Sequence, residues 1–371
     1  MRNLLLVAVL GCVFAGLMLA TPASAQAPVA EWLFDNDIDG FGTRDQGAQL
    51  TSATDADVVR EEGNGVLQFA YTPTKGAPTG LGTGLNAGLL GGKSLLMHIR
   101  TTAQTTVRVG INEADASSYS TEFTSLPGRW QAVVLDFSEF TLADGSADQN
   151  DRLDLDQAAL IFFTDNVGTL AALADAVPFF IAPDLSPRKL WLDDVWVDSE
   201  GTPPRWVRTE AGLQVDSFES APLQWAGIAG SDTEIAYEQE RKADGDYSLR
   251  IAYNLPPGKL AVWGTGLGTV PLEGMTRLRL SYLSEVETTI MLEIEELDGS
   301  KYRTFLPTPA GDDFAQLDIA VAELTLGDDS ADENGQLDIT QVKKLVVGDV
   351  SAMEGGPVEN TLWLDDVSFA E

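Results

Sequence analysis

The side chains of this sequence with the most capacity for chemistry are carboxylates, which are densest in two short segments. Each segment reads Ser-Ala-Asp-x-Asn followed by Leu-Asp, once at 146–154 and once at 330–338. Calcium takes about six to eight oxygen ligands, so such a segment could form a loop of the EF-hand type. Both lack the glycine and the terminal glutamate of that loop, and we interpret them as solvated turns that cap a short helix. The acidic cluster in and just before each segment comprises Asp144, Asp148, Asn150, Asp151 and Asp154, then Asp328, Asp329, Asp332, Asn334 and Asp338.

Residue type excludes most other catalytic chemistry. His98 is the only histidine and Cys12 the only cysteine. A His-rich zinc site cannot form within one chain, and a histidine-based triad could use only His98. The 57 acidic residues would allow the carboxylate pair of a glycoside hydrolase. Nothing in the sequence singles out one such pair, so we expect a protein that is not an enzyme.

The acidic segments belong to a long internal repeat. The hexapeptide LWLDDV occurs at Leu190–Val195 and again at Leu362–Val367, which lie 172 positions apart. Landmarks upstream of the hexapeptides lie 182 to 184 positions apart. The first copy therefore contains 12 extra residues between Asn166 and Leu190, an insert that includes a short helical pattern at Leu170–Ala174.

A repeat of this length predicts two complete domains rather than short stacked units. We place the first domain at 29–199 and the second at 213–371. The linker, 200–212, contains Pro203 and Pro204, which favour an extended and semi-rigid spacer.

The elements that position these residues are predicted by short alternations of apolar and polar residues bounded by Gly, Pro, Asn and Asp. Runs of this length with turn signals between them are typical of antiparallel strands in a sandwich or jelly roll. The predicted fold is therefore all-β, with two tandem antiparallel β-sandwiches. We interpret Leu160–Phe163 and Leu345–Val347 as buried strands. The clearest runs are Val66–Tyr71, Leu95–Arg100, Thr106–Ile111, Ala132–Phe137, Leu190–Val197, Ser248–Tyr253, Arg277–Leu283, Thr289–Ile294, Ala315–Ile319 and Leu362–Phe369.

The first 25 residues are typical of a signal peptide. Arg2 precedes an apolar run at Leu4–Ala20, and Ala23-Ser24-Ala25 matches a cleavage site. We expect an exported protein, secreted or periplasmic, without a stable membrane span after cleavage. A loose lipoprotein pattern ending at Cys12 leaves lipid anchoring there as an alternative.

The formal net charge of −34 makes nucleic acid an unfavourable partner, because phosphates are bound by patches of Lys and Arg. Anionic membrane surfaces are disfavoured for the same reason. An acidic, solvated surface keeps an exported protein soluble.

The order of landmarks in each copy resembles that of galactose-binding-like jelly-roll domains, and among them the carbohydrate-binding modules of family 11 and related type. The landmarks are an opening Phe34-Asp35 or Phe218-Glu219, an acidic glycine turn before a Leu-x-Ile-x-Tyr type of strand, and the closing LWLDDV strand. Two copies of the resembled module together cover nearly the whole sequence after the signal peptide. It implies a sandwich that binds a polysaccharide or an oligosaccharide.

The resemblance also implies a structural calcium ion where the first and last strands meet. Alternation places Asp193 and Asp194 on opposite faces of the last strand, so only one aspartate of each pair should be directed at the ion. Turn carboxylates that accept backbone N–H groups are the alternative. The implied ligands are Asp35, Glu62, Asp193 and Asp194 in the first copy, and Glu219, Asp244, Asp365 and Asp366 in the second.

In modules of the resembled type, a concave sheet presents aromatic and polar side chains to a glycan. Alternation assigns Leu95, Met97 and Ile99 to the core and leaves the residues between them on the other face. An exposed sheet face that carries charges against aggregation is the alternative interpretation. The candidate ligand-binding residues are His98, Arg100, Arg108, Asn112, Tyr119, Trp263, Arg279, Glu293, Glu295 and Tyr302.

The tryptophans divide into two groups. Large rings contribute heavily to sandwich cores, so we assign most of them to core or edge packing. Trp263 aligns with Leu81 and follows a Pro-Pro-Gly turn, and we predict that it is an exposed sugar platform. The residues assigned to packing are Trp32, Trp191, Trp196, Trp225 and Trp363.

The sequence thus favours an exported, non-catalytic protein that binds glycan through two homologous, calcium-stabilised sandwiches. The outward-facing residues differ between the copies, so we expect the two to differ in ligand or affinity, with loss of binding by one copy as an alternative. The alternative is a structural or adhesion protein of the cell envelope whose sandwiches bind protein. A separate catalytic or envelope protein is a possible partner under either interpretation.

Overall fold

The computed structural model describes residues 28–371 apart from 56, 58, 61–63, 202–204, 220–222, 230–232, 269, 333, 354 and 356–357. The predicted signal peptide, with Cys12, lies outside the described residues, and so does Glu62. Nearly all regular structure in the described part is β-strand. No helix there is long and apolar enough to cross a membrane.

The first copy forms eleven strands and one helix within its described residues. They are β1 (Ala30–Trp32), β2 (Gln49–Ala53), β3 (Val66–Tyr71), β4 (Thr79–Gly84), β5 (Ser94–Thr101), β6 (Thr105–Glu113), β7 (Ser118–Ser125), β8 (Gln131–Asp136), β9 (Thr141–Leu142), β10 (Ala158–Asp165), α1 (Val167–Ala176) and β11 (Arg188–Asp198). The helical pattern predicted within the insert is confirmed by α1.

Two antiparallel sheets make up the first sandwich. Sheet A has the order β2-β3-β11-β5-β8, with β1 also paired to β11, and sheet B has the order β4-β10-β6-β7-β9. Every second side chain of a strand is directed between the sheets. Val107, Val109 and Ile111 of β6 are fully buried and join one core with Leu95, Met97 and Ile99 of β5.

The second copy forms thirteen strands within its described residues. They are β12 (Val207–Thr209), β13 (Gly212–Asp216), β14 (Ala226–Ala229), β15 (Glu234–Glu238), β16 (Ser248–Leu255), β17 (Ala261–Gly266), β18 (Arg277–Ser284), β19 (Thr288–Glu296), β20 (Lys301–Thr308), β21 (Ala315–Ala320), β22 (Thr325–Leu326), β23 (Val342–Asp349) and β24 (Val358–Ala370). Short 3₁₀ helices lie at Phe137–Glu139, Val321–Glu323, Ile339–Gln341 and Ser351–Met353.

The second sandwich repeats the pairing of the first. In sheet C, β24 pairs with β13, β16 and β18, while β15 pairs with β16 and β21 with β18. Sheet D has the order β14-β17-β23-β19-β20-β22. The prediction of two tandem antiparallel sandwiches is confirmed, because both copies place their closing strand, β11 or β24, at the centre of a sheet.

A bulge interrupts the closing strand of each copy at its Asp-Asp pair. The register of β11 shifts between Asp193 and Trp196, and Asp194 and Asp366 adopt φ of 44° and 49°. A bulge breaks the alternation of faces. Both Asp193 and Asp194 consequently contact the guanidinium of Arg60. The expectation that the two aspartates lie on opposite faces is therefore wrong for the first copy.

The two sandwiches contact each other directly. Thr124 of β7 donates its hydroxyl to the carbonyl oxygen of Trp225 at 2.7 Å. The amide of Gln104 donates to Thr233 O at 3.1 Å and accepts from the N–H of Ile235 at 3.1 Å. These bonds attach strand ends of the first sandwich to the β14–β15 region of the second.

Candidate functional site

The candidate ligand-binding residues do not lie on one face. His98 and Arg100 belong to β5 in sheet A, whereas Arg108 and Asn112 belong to β6 in sheet B. The two outer faces are on opposite sides of the sandwich. In the second copy, Arg279 lies in sheet C, but Glu293 and Glu295 lie in sheet D. The grouping of these residues into one concave face per copy is therefore wrong.

The candidates on the outer faces of sheets A and C contact neighbouring protein groups. His98 Nδ1 lies 3.8 Å from Asp194 Oδ2. Arg100 donates to the carbonyl oxygen of Asp57 at 2.8 Å, and its guanidinium lies 5.5 Å from the ring centre of Trp191. Arg279 Nε lies 3.3 Å from an oxygen of Asp318. These arginines are thus held by backbone, carboxylate and ring contacts.

A groove of about 800 Å³ lies on the outer face of sheet B. Phe162 of β10 lines the groove, is half-buried, and pairs with Gly82 on one neighbouring strand and Gly110 on the other. A Cβ atom at Gly110 would lie 2.0 Å from Phe162 Cζ, so the ring lies directly over the backbone of β6. The missing side chain at Gly110 leaves room for this aromatic ring on the outer face.

Glycines also form the floor of the groove on β4. A Cβ atom at Gly80 would lie 2.5 Å from Thr164 Cγ2, and one at Gly82 would lie 2.6 Å from the carbonyl oxygen of Ile161. Backbone and side-chain atoms of β10 therefore lie where a Cβ atom on β4 would have to be. The alternating glycines of Thr79–Gly84 allow this close approach and add no side chains of their own to the outer face.

One wall of the groove is a loop pinned to β4. Thr43 donates its hydroxyl to Gly80 O at 2.7 Å, and Asp45 accepts the N–H of Gly80 at 2.7 Å. Arg44, between them, is exposed at the groove edge. These bonds, together with the backbone bridge between Gly42 and Gly82, hold the loop against β4.

Polar side chains occupy the rest of the same face. Asn112 lines the groove, and its Oδ1 atom has no hydrogen-bond partner among the described residues. Arg108 donates from Nε to Glu122 Oε1 at 2.8 Å, and Asn166 donates to the same oxygen at 3.0 Å. An aromatic ring with flanking amide and charged groups can stack on an apolar face of a ligand and hydrogen-bond its polar edges.

Sequence reasoning missed Phe162, which it assigned to a buried strand. Strand β10 does bury Ile161 and Phe163, but Phe162 between them is directed to the outer face. A signal was available: an aromatic residue in the middle of a strand whose partner, Thr79–Gly84, alternates glycine with larger residues.

Three aromatic candidates lie inside the cores. Trp263 is 0% exposed, so its prediction as an exposed platform is wrong. Its alignment with Leu81 explains this placement, since Leu81 also faces the core. Tyr119 and Tyr302 are 2% and 3% exposed, and their hydroxyls donate to Asp148 and Asp332. Trp32, Trp191, Trp196, Trp225 and Trp363 are buried or half-buried, as expected for packing.

The implied metal ligands of the second copy accept backbone N–H groups. Glu219 accepts those of Asp246 and Tyr247 at 2.8 and 2.9 Å. Asp365 accepts the N–H groups of Ala243 and Asp244 at 2.7 and 3.2 Å. Burial raises the pKa of Asp365 to about 6. Burial also raises the pKa of Asp366, and the charges of Asp244 and Glu219 add to that rise. In the first copy, Asp35 is exposed and Arg60 pairs with both closing aspartates.

A second carboxylate cluster is duplicated and was only partly recognised in the sequence. Glu113, Asp115 and Asp148 place one oxygen each within 4.8 Å of one another, an arrangement that could hold a metal ion. Ser117 donates its hydroxyl to Glu113 at 2.6 Å and to Asp115 at 2.7 Å. The N–H of Ser117 lowers the pKa of Asp115.

The second copy repeats this cluster with the same contacts. Glu296, Asp298 and Asp332 also lie within 4.8 Å of one another, and Ser300 donates to both Glu296 and Asp298. Burial raises the pKa of Glu296. The available signal was the Glu-x-Asp-x-Ser pattern, which precedes Tyr119 and Tyr302 in the two copies.

No family model matches the chain, and no curated protein matches it. Among solved structures, the chain is similar to a family 11 carbohydrate-binding module from Clostridium thermocellum in complex with a beta-1,3-1,4-mixed-linked tetrasaccharide. The identity is 12%, the match covers 42% of this chain and 94% of that chain, and the TM-score is 0.35.

The chain is also similar to the CBM22-1–CBM22-2 tandem domain of Paenibacillus barcinonensis Xyn10C, at 12% identity over 94% of this chain and 99% of that chain, with a TM-score of 0.31. TmCBM61 in complex with beta-1,4-galactotriose is similar at 13% identity. The match covers 40% of this chain and 88% of that chain, and the TM-score is 0.28. These structures are of the class that the sequence resembles. At such low scores the likeness adds no argument about function.

Proposed function

We propose that the chain is an exported, non-catalytic protein that binds a polysaccharide or an oligosaccharide. The observation that supports this proposal is Phe162, an outward-facing aromatic ring that lies over Gly110 and beside the glycine-rich strand β4. Pyranose rings have apolar C–H faces that stack on such a ring, and their hydroxyls are hydrogen-bonded by amide and charged side chains. Asn112, Arg44 and Asp45 line the same groove and would supply those hydrogen bonds.

The shape of the site favours an extended ligand. The groove is open rather than enclosed, and its floor follows neighbouring strands of sheet B. A chain of sugars can lie along such a surface, with one residue over Phe162 and others against the polar edges. The charge of −34 disfavours polyanionic glycans because like charges repel.

We further propose that calcium stabilises the sandwiches. Support comes from Asp365 and Asp366, whose pKa values are raised by burial and by neighbouring carboxylates, which for Asp366 include Asp244 and Glu219. A divalent cation would offset that repulsion. The duplicated clusters that contain Asp148 and Asp332 offer a second set of oxygen ligands.

Retention on immobilised or gel-embedded polysaccharides tests the binding proposal. The panel should include mixed-linkage β-glucan, xylan, galactan and a polyanionic glycan. We expect a neutral polysaccharide to retain the full chain, and Phe162→Ala to weaken retention at least about tenfold. Phe305→Ala is the matched control, because Phe305 is 53% exposed on the second sandwich.

The proposal fails if the folded wild-type protein is retained by no glycan of the panel. Retention that Phe162→Ala leaves unchanged would place the ligand elsewhere. Specific capture of a purified envelope protein that no sugar competes away would favour the adhesion alternative instead.

A further inference from the structure

The face of the second sandwich that corresponds to the groove is not open. By strand register, Val346 takes the place of Phe162, because Val346 pairs with Gly264 and Glu293 as Phe162 pairs with Gly82 and Gly110. Val346 is 2% exposed although its side chain lies on the outer face of sheet D. Another part of the chain must therefore pack over Val346.

The cover is the insert of the first copy. Phe179 and Phe180, which follow α1, pack against an apolar cluster on the outer face of sheet D. The two rings meet edge to face with centres 5.3 Å apart. The buried members of the cluster on the second sandwich are Leu260, Val262, Met291 and Val346.

Hydrogen bonds fix this segment in place. The N–H of Leu260 donates to the carbonyl oxygen of Phe179 at 3.0 Å. The ammonium of Lys259 donates to Pro178 O at 2.6 Å and to Phe180 O at 2.8 Å. Backbone acceptors of the insert thus meet donors of the second sandwich in an arrangement that requires one specific position of the chain.

The charged side chains of the same face form ion pairs with other side chains of the protein. Glu293, the counterpart of Gly110, lies 2.8 Å from Arg303 Nη2. Glu295 lies 3.0 Å from Lys343 Nζ, and that ammonium lies 3.1 Å from Asp144 of the first sandwich. Phe305 of β20 pairs with Met291 and is 53% exposed on this face. The part of the face that corresponds to the groove, over β17 and β23, is nevertheless covered by Phe179 and Phe180.

We propose that the outer face of sheet D is a docking surface for Pro178–Phe180, and that the chain consequently has a single glycan groove. The insert, present in only one copy, converts the second sandwich from a binding module into a support for the first. The docking stands on the contacts alone, whereas the count of grooves rests on the proposed function.

Hydrogen exchange in the full chain tests the docking. We expect the Leu260 amide to exchange slowly in the wild type and at least about tenfold faster in Phe179→Ser/Phe180→Ser. Leu90→Ser/Leu173→Ser removes apolar groups that are 75% and 38% exposed and should leave this amide unchanged. Lys259→Met, which removes only the ammonium, should give a smaller increase in the exchange rate of the Leu260 amide. It tests the docking independently if the double variant unfolds. Equal exchange at Leu260 in the wild type and both test variants would overturn the docking.

Retention of the full chain on the polysaccharide panel tests the number of grooves. With a single groove, Phe162→Ala weakens all of the binding, so no part of the capacity keeps the wild-type affinity. A Phe162→Ala chain that keeps about half of its capacity at the wild-type affinity would overturn the single groove. If no glycan binds the wild type, the proposed function fails, and the exchange of Leu260 still decides the docking.

Discussion

The hydroxyl of Tyr71 donates to Asp165 Oδ2 at 3.0 Å and joins the two sheets of the first sandwich through its interior. Tyr71 ends β3 in sheet A, and Asp165 ends β10 in sheet B. The second sandwich repeats the pair as Tyr253 and Asp349. A buried carboxylate without partners is costly, so each tyrosine satisfies a group that the fold has removed from water.

We predict that Tyr253→Phe destabilises the second sandwich by about 1–3 kcal/mol, because it removes a hydroxyl partner from a fully buried carboxylate. Tyr71→Phe should destabilise the first sandwich less, since Arg188 Nη1 remains 3.2 Å from Asp165. Urea unfolding measures both effects. Tyr282→Phe is the control, as its hydroxyl pairs with no carboxylate among the described residues. Equal midpoints for Tyr253→Phe and the wild type would contradict the prediction.

Glu139 predicts a pH dependence at the contact between the sandwiches. It accepts the side-chain N–H of Gln224 at 2.9 Å, and burial raises its pKa. The folded state therefore disfavours its charged form, and the stability associated with this group is lost as pH rises through the folded pKa. Glu139→Gln, which stays neutral, should raise the melting temperature at pH 7. The gain in melting temperature should vanish at a pH below 4.5, the usual pKa of glutamate. A gain that is the same at both pH values would count against this assignment.

Gly110 is predicted to be required for the shape of the groove rather than for folding. Alanine there would place a Cβ atom 2.0 Å from the ring of Phe162 and displace it. We expect Gly110→Ala to weaken polysaccharide retention roughly threefold to tenfold. Gly266→Ala, where a Cβ atom meets nothing within 4 Å, is the matched control. Unchanged retention by Gly110→Ala would show that the position of the ring is unimportant.

Calcium removal is predicted to destabilise the second sandwich. A bound ion would add about 3 kcal/mol at a free concentration roughly a hundredfold above its Kd, so a chelator should lower the melting temperature. Asp365→Asn should reduce the response, whereas Asp193→Asn should not, because Arg60 pairs with Asp193. Asp332→Asn tests the duplicated cluster in the same way. A wild-type melting temperature that is indifferent to calcium and chelator would refute the prediction.

Much of the fold could be predicted because its signals are local. Alternation along Thr106–Ile111 and the repeated LWLDDV strand identified the strands, and the duplication identified the two sandwiches. The buried positions of Val107, Val109 and Ile111 followed from the same period of two. Alternation failed at Asp193 and Asp194, because a bulge there depends on pairing with distant strands.

The candidate site was predicted less well than the fold. Alternation showed that Arg100 and Arg108 face away from the core, but it could not show that their strands belong to different sheets. Phe162 escaped notice because an apolar residue within an apolar run is indistinguishable from core until its neighbours Gly82 and Gly110 are known. Pairing across the sheet, not order along the chain, brings these three residues together.

The sequence was sufficient to show that the protein is a duplicated pair of all-β sandwiches with acidic turns. The period of the strands and the spacing of the repeat depend only on the order of residues along the chain. The tertiary structure alone decided which outer faces are open. Phe162 lies in a groove, and its counterpart Val346 lies beneath Phe179 and Phe180 of the insert. The physical reason is that the exposure of a face depends on what packs against it, and the segment that packs here is some 165 residues away from Val346 in the chain.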